Sequence, residues 1–403
     1  MHKRKKLGGG IEWTGKTRWN PLVGCSKVTQ ACKHCYAIEV AVGNVRRFQA
    51  LVEARLYEHT LTWKQLMALA TVRASVDGGG WSRRAALAWH KLADPLLWSK
   101  PRLVFPNSMS DLLHESLDDD TVLGLYGIMA YATKHTFQAL TKRPERLAKL
   151  TWQLQSREWG STCTSASRLH HYARALLEGA PAAVHATVMD VEVPGLTSLV
   201  RESLAAAGRD AVQRDVDRAL RALEAAQAEL GARRGFQGEN IWWGTSVGSH
   251  EDLERFWPPL ARAHVAHRWL SIEPLLGEVR LRRVVVDHPI QDPWLPLTTR
   301  QIELDALSRG IPSGVQVEWV VVGGESVQPG QTPRPMPIAA AERIIADCQA
   351  AGVPVFFKQM GKQTIDASGL VQIGERAKGV PYEDAPDHLK VRELPAAFLR
   401  YER

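Results

Sequence analysis

Nowhere in the 403 residues does an apolar run approach the roughly 18 residues needed to cross a bilayer, which excludes a helix of that kind. Cysteine is scarce, five in all, and its spread is too uneven for a disulfide scaffold. No dinucleotide glycine fingerprint and no HExxH zinc signature occurs. The basic opening MHKRKKLGGG runs into glycine where an export signal needs an apolar stretch, so a cytoplasmic protein without a membrane partner is expected. What is present is ordinary globular material: 45% hydrophobic and 23% charged residues, enough to build a sizeable core.

Positive charge exceeds negative, 51 Lys and Arg against 43 Asp and Glu, for a net charge of +8. Such an excess favours partners that carry phosphate. Part of it lies in Lys3, Arg4, Lys5 and Lys6, a tail too short to distinguish a nucleic-acid contact from a solvated end.

Along the chain a short apolar run, a polar or glycine-bearing elbow and a helical stretch recur. The runs are Arg102 to Phe105, Thr136 to Leu140, Ile241 to Trp243, Arg268 to Ile272, Val317 to Val322 and Val353 to Phe357. Short, unbroken and rich in β-branched and aromatic residues, they read as strands buried on both faces of a parallel sheet. Helical patterns lie between them, for example from Asp118 to Thr133, which opens on three aspartates, and from Ile338 to Ala351, which stops at Gly352. With a first strand near Ile11 to Trp13, the pattern predicts an α/β fold: a parallel (β/α) barrel, partial or complete. Residues 11–150 and 239–365 together form that barrel. Residues 151–238 form a mainly helical insertion, 281–316 a loop insertion, 1–10 a basic tail and 366–403 a C-terminal extension. Within the larger insertion Val212, Val216, Ala219, Leu223, Ala226 and Leu230 recur at steps of four and three. That spacing fits a helical arm packed on the barrel or a short gripping or dimerising arm.

The strongest chemical signal is WNPLVGCSKVTQACKHCYA, in which Cys25, Cys32 and Cys35 follow one another at intervals of six and two residues. In a reducing compartment so tight a group is a metal site sooner than a disulfide, and three cannot pair among themselves. Thiolates suit zinc or an iron–sulfur cluster. Zinc calls for a fourth donor, with His34 nearest, whereas three thiolates suit a [4Fe–4S] cube with one iron left open. S-adenosylmethionine can chelate such an iron, and electron transfer from the cluster then yields a 5′-deoxyadenosyl radical. Cys163 beside His170 and His171 offers no convincing fourth ligand for a second metal.

The blocks IEWTGKTRWNPLVGC, CKHCYA, PNSMSDLLHE, QALTKRPERL, WWGTSV, SIEPLLG, VVVGGES and VPVFFKQMG, taken in this order, resemble a phage- and prophage-encoded family of unknown function. That family has an N-terminal three-cysteine motif and is regarded as radical-SAM-like. The resemblance implies a barrel of the radical SAM type, a [4Fe–4S] cluster on Cys25, Cys32 and Cys35, S-adenosylmethionine as cofactor and an electron donor as partner. Two features depart from the commoner radical SAM pattern. Six residues, not three, separate the first two cysteines, and Gly323, Gly324 and Glu325 stand near the C-terminus, not after the strand that follows the cysteines.

In a parallel barrel the functional groups gather where strands end. The elbows supply Asn107, Ser108, Ser110 and Asp111, then Thr141, Lys142 and Arg143, then Thr245 and Ser246. They continue with Glu273, with Gly323, Gly324, Glu325 and Ser326, and with Lys358 and Gln359. Hydroxyls, amides and carboxylates suit a ribose or an amino-acid end, and the cations suit carboxylate or phosphate. Glu273 and Lys358 are the candidate catalytic pair; the others are candidate cofactor-binding residues. Singly, each also reads as a helix cap or a turn. Most of the 14 tryptophans, including Trp13, Trp19, Trp242, Trp243 and Trp319, read as core or rim packing. The expected function is cleavage of S-adenosylmethionine to act on a nucleotide or nucleic acid. The alternatives are a non-catalytic zinc- or cluster-stabilised protein that binds nucleic acid or docks a partner, and a barrel whose cluster makes no radical.

Overall fold

The computed structural model describes residues 12–155, 164–230, 236–290, 298–309, 314–326, 331–373 and 382–401. Seven strands form one sheet in chain order: β1 (Thr17–Trp19), β2 (Leu103–Pro106), β3 (Thr136–Thr141), β4 (Ile241–Ser246), β5 (His267–Ile272), β6 (Trp319–Val322) and β7 (Val355–Phe357). Every neighbouring pair is parallel. Among the described residues β1 and β7 do not pair, so the sheet is a half-barrel.

The six later runs read from the sequence are all strands of this sheet. The first strand is not where periodicity put it. Ile11 lies outside the described residues, Trp13 sits in a turn, and β1 begins at Thr17. Trp13 is apolar for another reason: it fills the concave side of the sheet, edge-on to Phe105 at 5.1 Å and to Trp269 at 4.9 Å.

Residues alternate between two cores, as strand geometry requires. Leu103, Phe105, Trp242, Trp269, Trp319, Val321 and Phe356 face the concave side with Trp13. Val104, Ile241, Trp243, Leu270, Ile272, Val320, Val322, Val355 and Phe357 face the helices. Phe398, from the C-terminal extension, stacks edge-on against Trp242 and Trp319. The concave side is therefore a packed aromatic core, and a cavity opens at the end where the strands finish.

The connections carry helices α1 (Tyr36–Tyr57), α2 (Trp63–Ser75), α3 (Asp119–Tyr131), α4 (Pro144–Gln155), α5 (Ser165–Asp190), α6 (Ser198–Leu230), α7 (His250–Arg262) and α8 (Ile338–Ala350). Asp118 caps α3 by accepting from the Thr121 N–H at 2.6 Å, as its acidic opening suggests. Between β5 and β6 an antiparallel hairpin, Val284–Ile290 with Thr298–Leu304, replaces the helix. Val212, Val216, Ala219, Leu223 and Leu230 are buried on α6, with Ala226 half-buried, and join the core shared with α3 and α5. The seam thus belongs to an arm packed on the barrel. Among the described residues, no helix is long and apolar enough to cross a membrane.

Candidate active site

The residues before the first cysteine are fixed from two sides. Leu22–Val23 pairs antiparallel with Ala86–Leu87, and the Gly24 N–H donates to the Met109 carbonyl at 3.0 Å. Gly24 has φ +108°, and a Cβ there would stand 2.1 Å from the Arg84 carbonyl oxygen, so no other residue fits. A short 3₁₀ turn, Gln30–Cys32, presents the second cysteine, and Cys35 is the residue before α1, its thiol capping nothing. All three thiols are free and all line one cavity of about 290 Å³ at the mouth of the half-barrel.

Around this cavity the elbows meet. Asn107, Ser108, Ser110, Asp111, Thr141, Lys142, Arg143, Ser246, Glu273, Gly324, Glu325, Ser326 and Lys358 all line it with the cysteines. Thr245 does not: it is fully buried and its hydroxyl donates to the Thr141 carbonyl at 2.9 Å. Gly323 and Gln359 stay behind the wall. Gln359 donates to the Gly324 carbonyl at 2.8 Å, and a Cβ on Gly324 would stand 2.3 Å from the Met360 carbonyl, so the two last elbows are bolted together.

Three charged assemblies hold the wall. In the first, Asp111 accepts from the Thr141 hydroxyl at 2.8 Å, the Leu113 and Lys142 N–H groups at 3.0 Å each, and Arg143 Nη1 at 2.9 Å. Arg143 also donates from Nε to Glu115 at 2.6 Å and from Nη2 to Ser26 at 2.6 Å, and its Nη1 lies 3.9 Å from the Cys25 sulfur. Ser26 and Glu115 are themselves bonded. Burial works against ionisation of Glu115, but hydrogen bonds from Arg143 and Ser26 hold it down at about 2.

In the second, Trp13 donates from its indole to Glu273 Oε2 at 2.8 Å. Lys358 Nζ stands 2.9 Å from Oε1, close enough for an ion pair though off the hydrogen-bonding direction. Burial opposes the charge on Lys358, yet Glu273, backed by Glu12, keeps the ammonium above the ordinary lysine range. In the third, Glu325 receives His34 Nδ1 at 3.0 Å and the Arg334 N–H at 2.9 Å, with the Arg334 guanidinium on both its oxygens. Arg334 also donates to the Gln30 carbonyl at 2.8 Å. Burial raises Glu325, but Arg334 and His34 outweigh it and hold the carboxyl below the usual range.

The thiols differ in ease of ionisation. Burial, reinforced by Asp111, pushes Cys25 up to about 12 against the pull of Arg143. Burial also disfavours the Cys32 thiolate, but the Lys142 charge and hydrogen bonds with the Val28 and Thr29 backbone bring it below the ordinary thiol range. Lys142 itself donates to the Ser246 hydroxyl at 2.8 Å.

Soft sulfur donors with no carboxylate between them suit zinc or an iron–sulfur cluster, not magnesium or calcium. Among the described residues no group of three or more His, Cys, Asp or Glu side chains is drawn together as a metal cage. The one imidazole between the cysteines is held through Nδ1 by Glu325. Cys163 lies outside the described residues. His34, Glu115, Ser26 and Arg334 were not singled out as members of the wall from sequence; only the position of His34 between two cysteines offered a signal. A further string, Gly10 to Thr17, spells the GxxxxGKT of a phosphate-binding loop. Its described part, from Glu12, runs into β1 and opens no helix, the element that supplies the anion cradle in that motif.

Fold and site together define an α/β half-barrel whose mouth gathers three free cysteines and a ring of polar strand ends. A family model described as "Protein of unknown function (DUF5131)" matches residues 8–386, and the chain belongs to that family. No curated protein and no solved structure matches it.

Proposed function

We propose that the chain is a radical-SAM-type enzyme in which Cys25, Cys32 and Cys35 hold a [4Fe–4S] cluster and S-adenosylmethionine binds beside it, with a nucleotide or nucleic acid as substrate. The observation that carries the reading is the convergence of three free thiols and the polar strand ends on one cavity. When bound, the cluster and S-adenosylmethionine supply a reductively generated organic radical, chemistry that belongs to them and not to the chain.

The chain's own part is binding, orientation and exclusion of water. Arg143 ties the Cys25 segment to Asp111 on the β2 elbow, and Glu325 with Arg334 ties the segment from Gln30 to His34 to the β6 elbow. The cysteine loop is therefore clamped at both ends by buried charge pairs, and Cys32 lies within the second clamped segment, its N–H donating to the Thr29 carbonyl at 3.0 Å. Lys142 and Lys358 place two cations on the wall for carboxylate or phosphate, and Glu273 holds Lys358 charged. The aromatic core beneath the cavity keeps water from its floor. The overall charge of +8 supports a phosphate-bearing substrate in a cytoplasmic setting.

Anaerobic reconstitution with iron and sulfide, followed by dithionite and S-adenosylmethionine, tests the reading. Formation of 5′-deoxyadenosine is the expected product, lost in C32A. Colourless protein with stoichiometric zinc would favour the non-catalytic, metal-stapled reading instead.

A further inference from the structure

Arg143 does more at Cys25 than tie down a loop. Its Nη1 carries two N–H groups, and two acceptors share that nitrogen: Asp111 Oδ2 at 2.9 Å and the Cys25 sulfur at 3.9 Å. The guanidinium cannot turn away, because Nε is held by Glu115 and Nη2 by Ser26, each at 2.6 Å. The Arg143 and Asp111 side chains are 11% and 7% exposed, so solvent and salt screen neither charge fully. The sulfur therefore faces a fixed cation in contact with it and a fixed anion just behind that cation.

Both charges act on whatever charge the sulfur carries. The free thiol already shows the opposition, since Asp111 disfavours its ionisation and Arg143 favours it. A cluster gains one negative charge when it is reduced, and its potential is set by nearby charge, hydrogen bonds to its sulfurs and exposure. A guanidinium against a ligating sulfur stabilises the reduced form. A carboxylate one step further back destabilises it. Neither residue is a ligand; each acts through one. Glu115 adds little, because its side chain is 59% exposed and well screened.

We infer that Arg143 and Asp111 are a redox-tuning pair that sets, with opposite signs, the potential of the cluster held at Cys25. The inference rests on the proposed function for the cluster itself. Arg143 keeps the cluster within reach of an electron donor, and Asp111 keeps the electron it holds strongly reducing. The competing account is a mechanical clamp, in which the two residues matter only because their pair closes the loop. Under that account, breaking the pair from either side loosens the same loop and moves the potential the same way.

The test is an anaerobic redox titration of the reconstituted full chain, with dithionite as reductant and mediator dyes. Absorbance follows the oxidised cluster and electron paramagnetic resonance the reduced one, and S-adenosylmethionine is left out so that nothing turns over. One electron takes the [4Fe–4S] group from its dicationic to its monocationic state. R143A should shift that equilibrium about tenfold toward the oxidised form, which is about 59 mV more negative. D111N should shift it the other way, by about threefold or more. R143K and R143M both lose the fork and differ in charge, so the lysine variant should hold the higher potential even if D111N does not fold. A variant that loads less iron is read on its loaded fraction, since the potential does not depend on the amount. Shifts of one sign in R143A and D111N, or equal potentials in R143K and R143M, overturn the inference and leave the cluster in place. Protein that takes up no iron and sulfide overturns it together with the proposed function.

Discussion

Arg143 offers the sharpest test of how the cysteine loop is held. Replacing it with alanine removes four contacts: to Asp111, Glu115, Ser26 and the Cys25 sulfur. The Glu115 side chain is 59% exposed, so that pair contributes about 1 kcal/mol at most. Asp111 is different. Its side chain is 7% exposed, and losing its charge partner strands a buried carboxylate. Breaking such a pair costs about 3–5 kcal/mol when nothing else helps. Here the Thr141 hydroxyl and two backbone N–H groups remain as donors, which brings the expected loss to about 2–4 kcal/mol. Urea unfolding of R143A measures the total, and amide exchange over the segment from Gly24 to Cys35 locates it. R143K, which keeps the charge without the fork, should recover less than half. Because both residues act on one network, R143A and D111A should be non-additive by about 1–3 kcal/mol. A loss under 0.5 kcal/mol with unchanged exchange would refute the clamp.

Gly24→Ala should cost at least 1–3 kcal/mol, roughly the cost of a strained backbone alone, since φ +108° and the Arg84 carbonyl both oppose a Cβ; thermal unfolding checks it. Trp269→Ala, which opens the aromatic core where the indole donates to the Trp242 carbonyl at 3.0 Å, should cost about 3–5 kcal/mol. Stability should also fall as pH drops from about 6.5 to 4. Burial depresses His90 and His135 to about 4, so the unfolded chain binds protons there that the folded chain does not. Asp94, raised by burial to about 6, works in the opposite direction over the same range, and two histidines outweigh one aspartate. H135Q, which keeps a donor for the Pro95 carbonyl, should flatten the slope of ΔG against pH by up to about 1.4 kcal/mol per unit; an unchanged slope would mean His135 does not contribute.

The strands were legible because a parallel sheet buries both faces, leaving unbroken apolar runs such as Val320 to Val322 with nothing polar to obscure them. β1 was not, because it is a three-residue edge with Arg18 exposed, while nearby Trp13 mimics a strand residue by filling the core. The hairpin from Val284 to Leu304 replaces a helix, and no local rule says which connection a loop insertion chooses. At the site, the strand-end rule found Asn107, Asp111, Lys142 and Glu273 because parallel topology forces those positions together. It included Thr245 by the same logic, although pleating turns that side chain away from the cavity, to the face of the sheet that carries Ile241 and Trp243. Arg334, Glu115 and Ser26 escaped it because they lie on loops, where position is set by the partners they meet and not by periodicity.

The central claim is that sulfur from Cys25, Cys32 and Cys35 gathers around one inorganic cluster. Anaerobic reconstitution followed by iron and acid-labile sulfide analysis measures it most directly. The account predicts brown protein with iron and sulfide in equal amounts, about four of each per chain, falling to background in C25A, C32A and C35A. Zinc in place of iron, or iron content unchanged by any of the three substitutions, would contradict it.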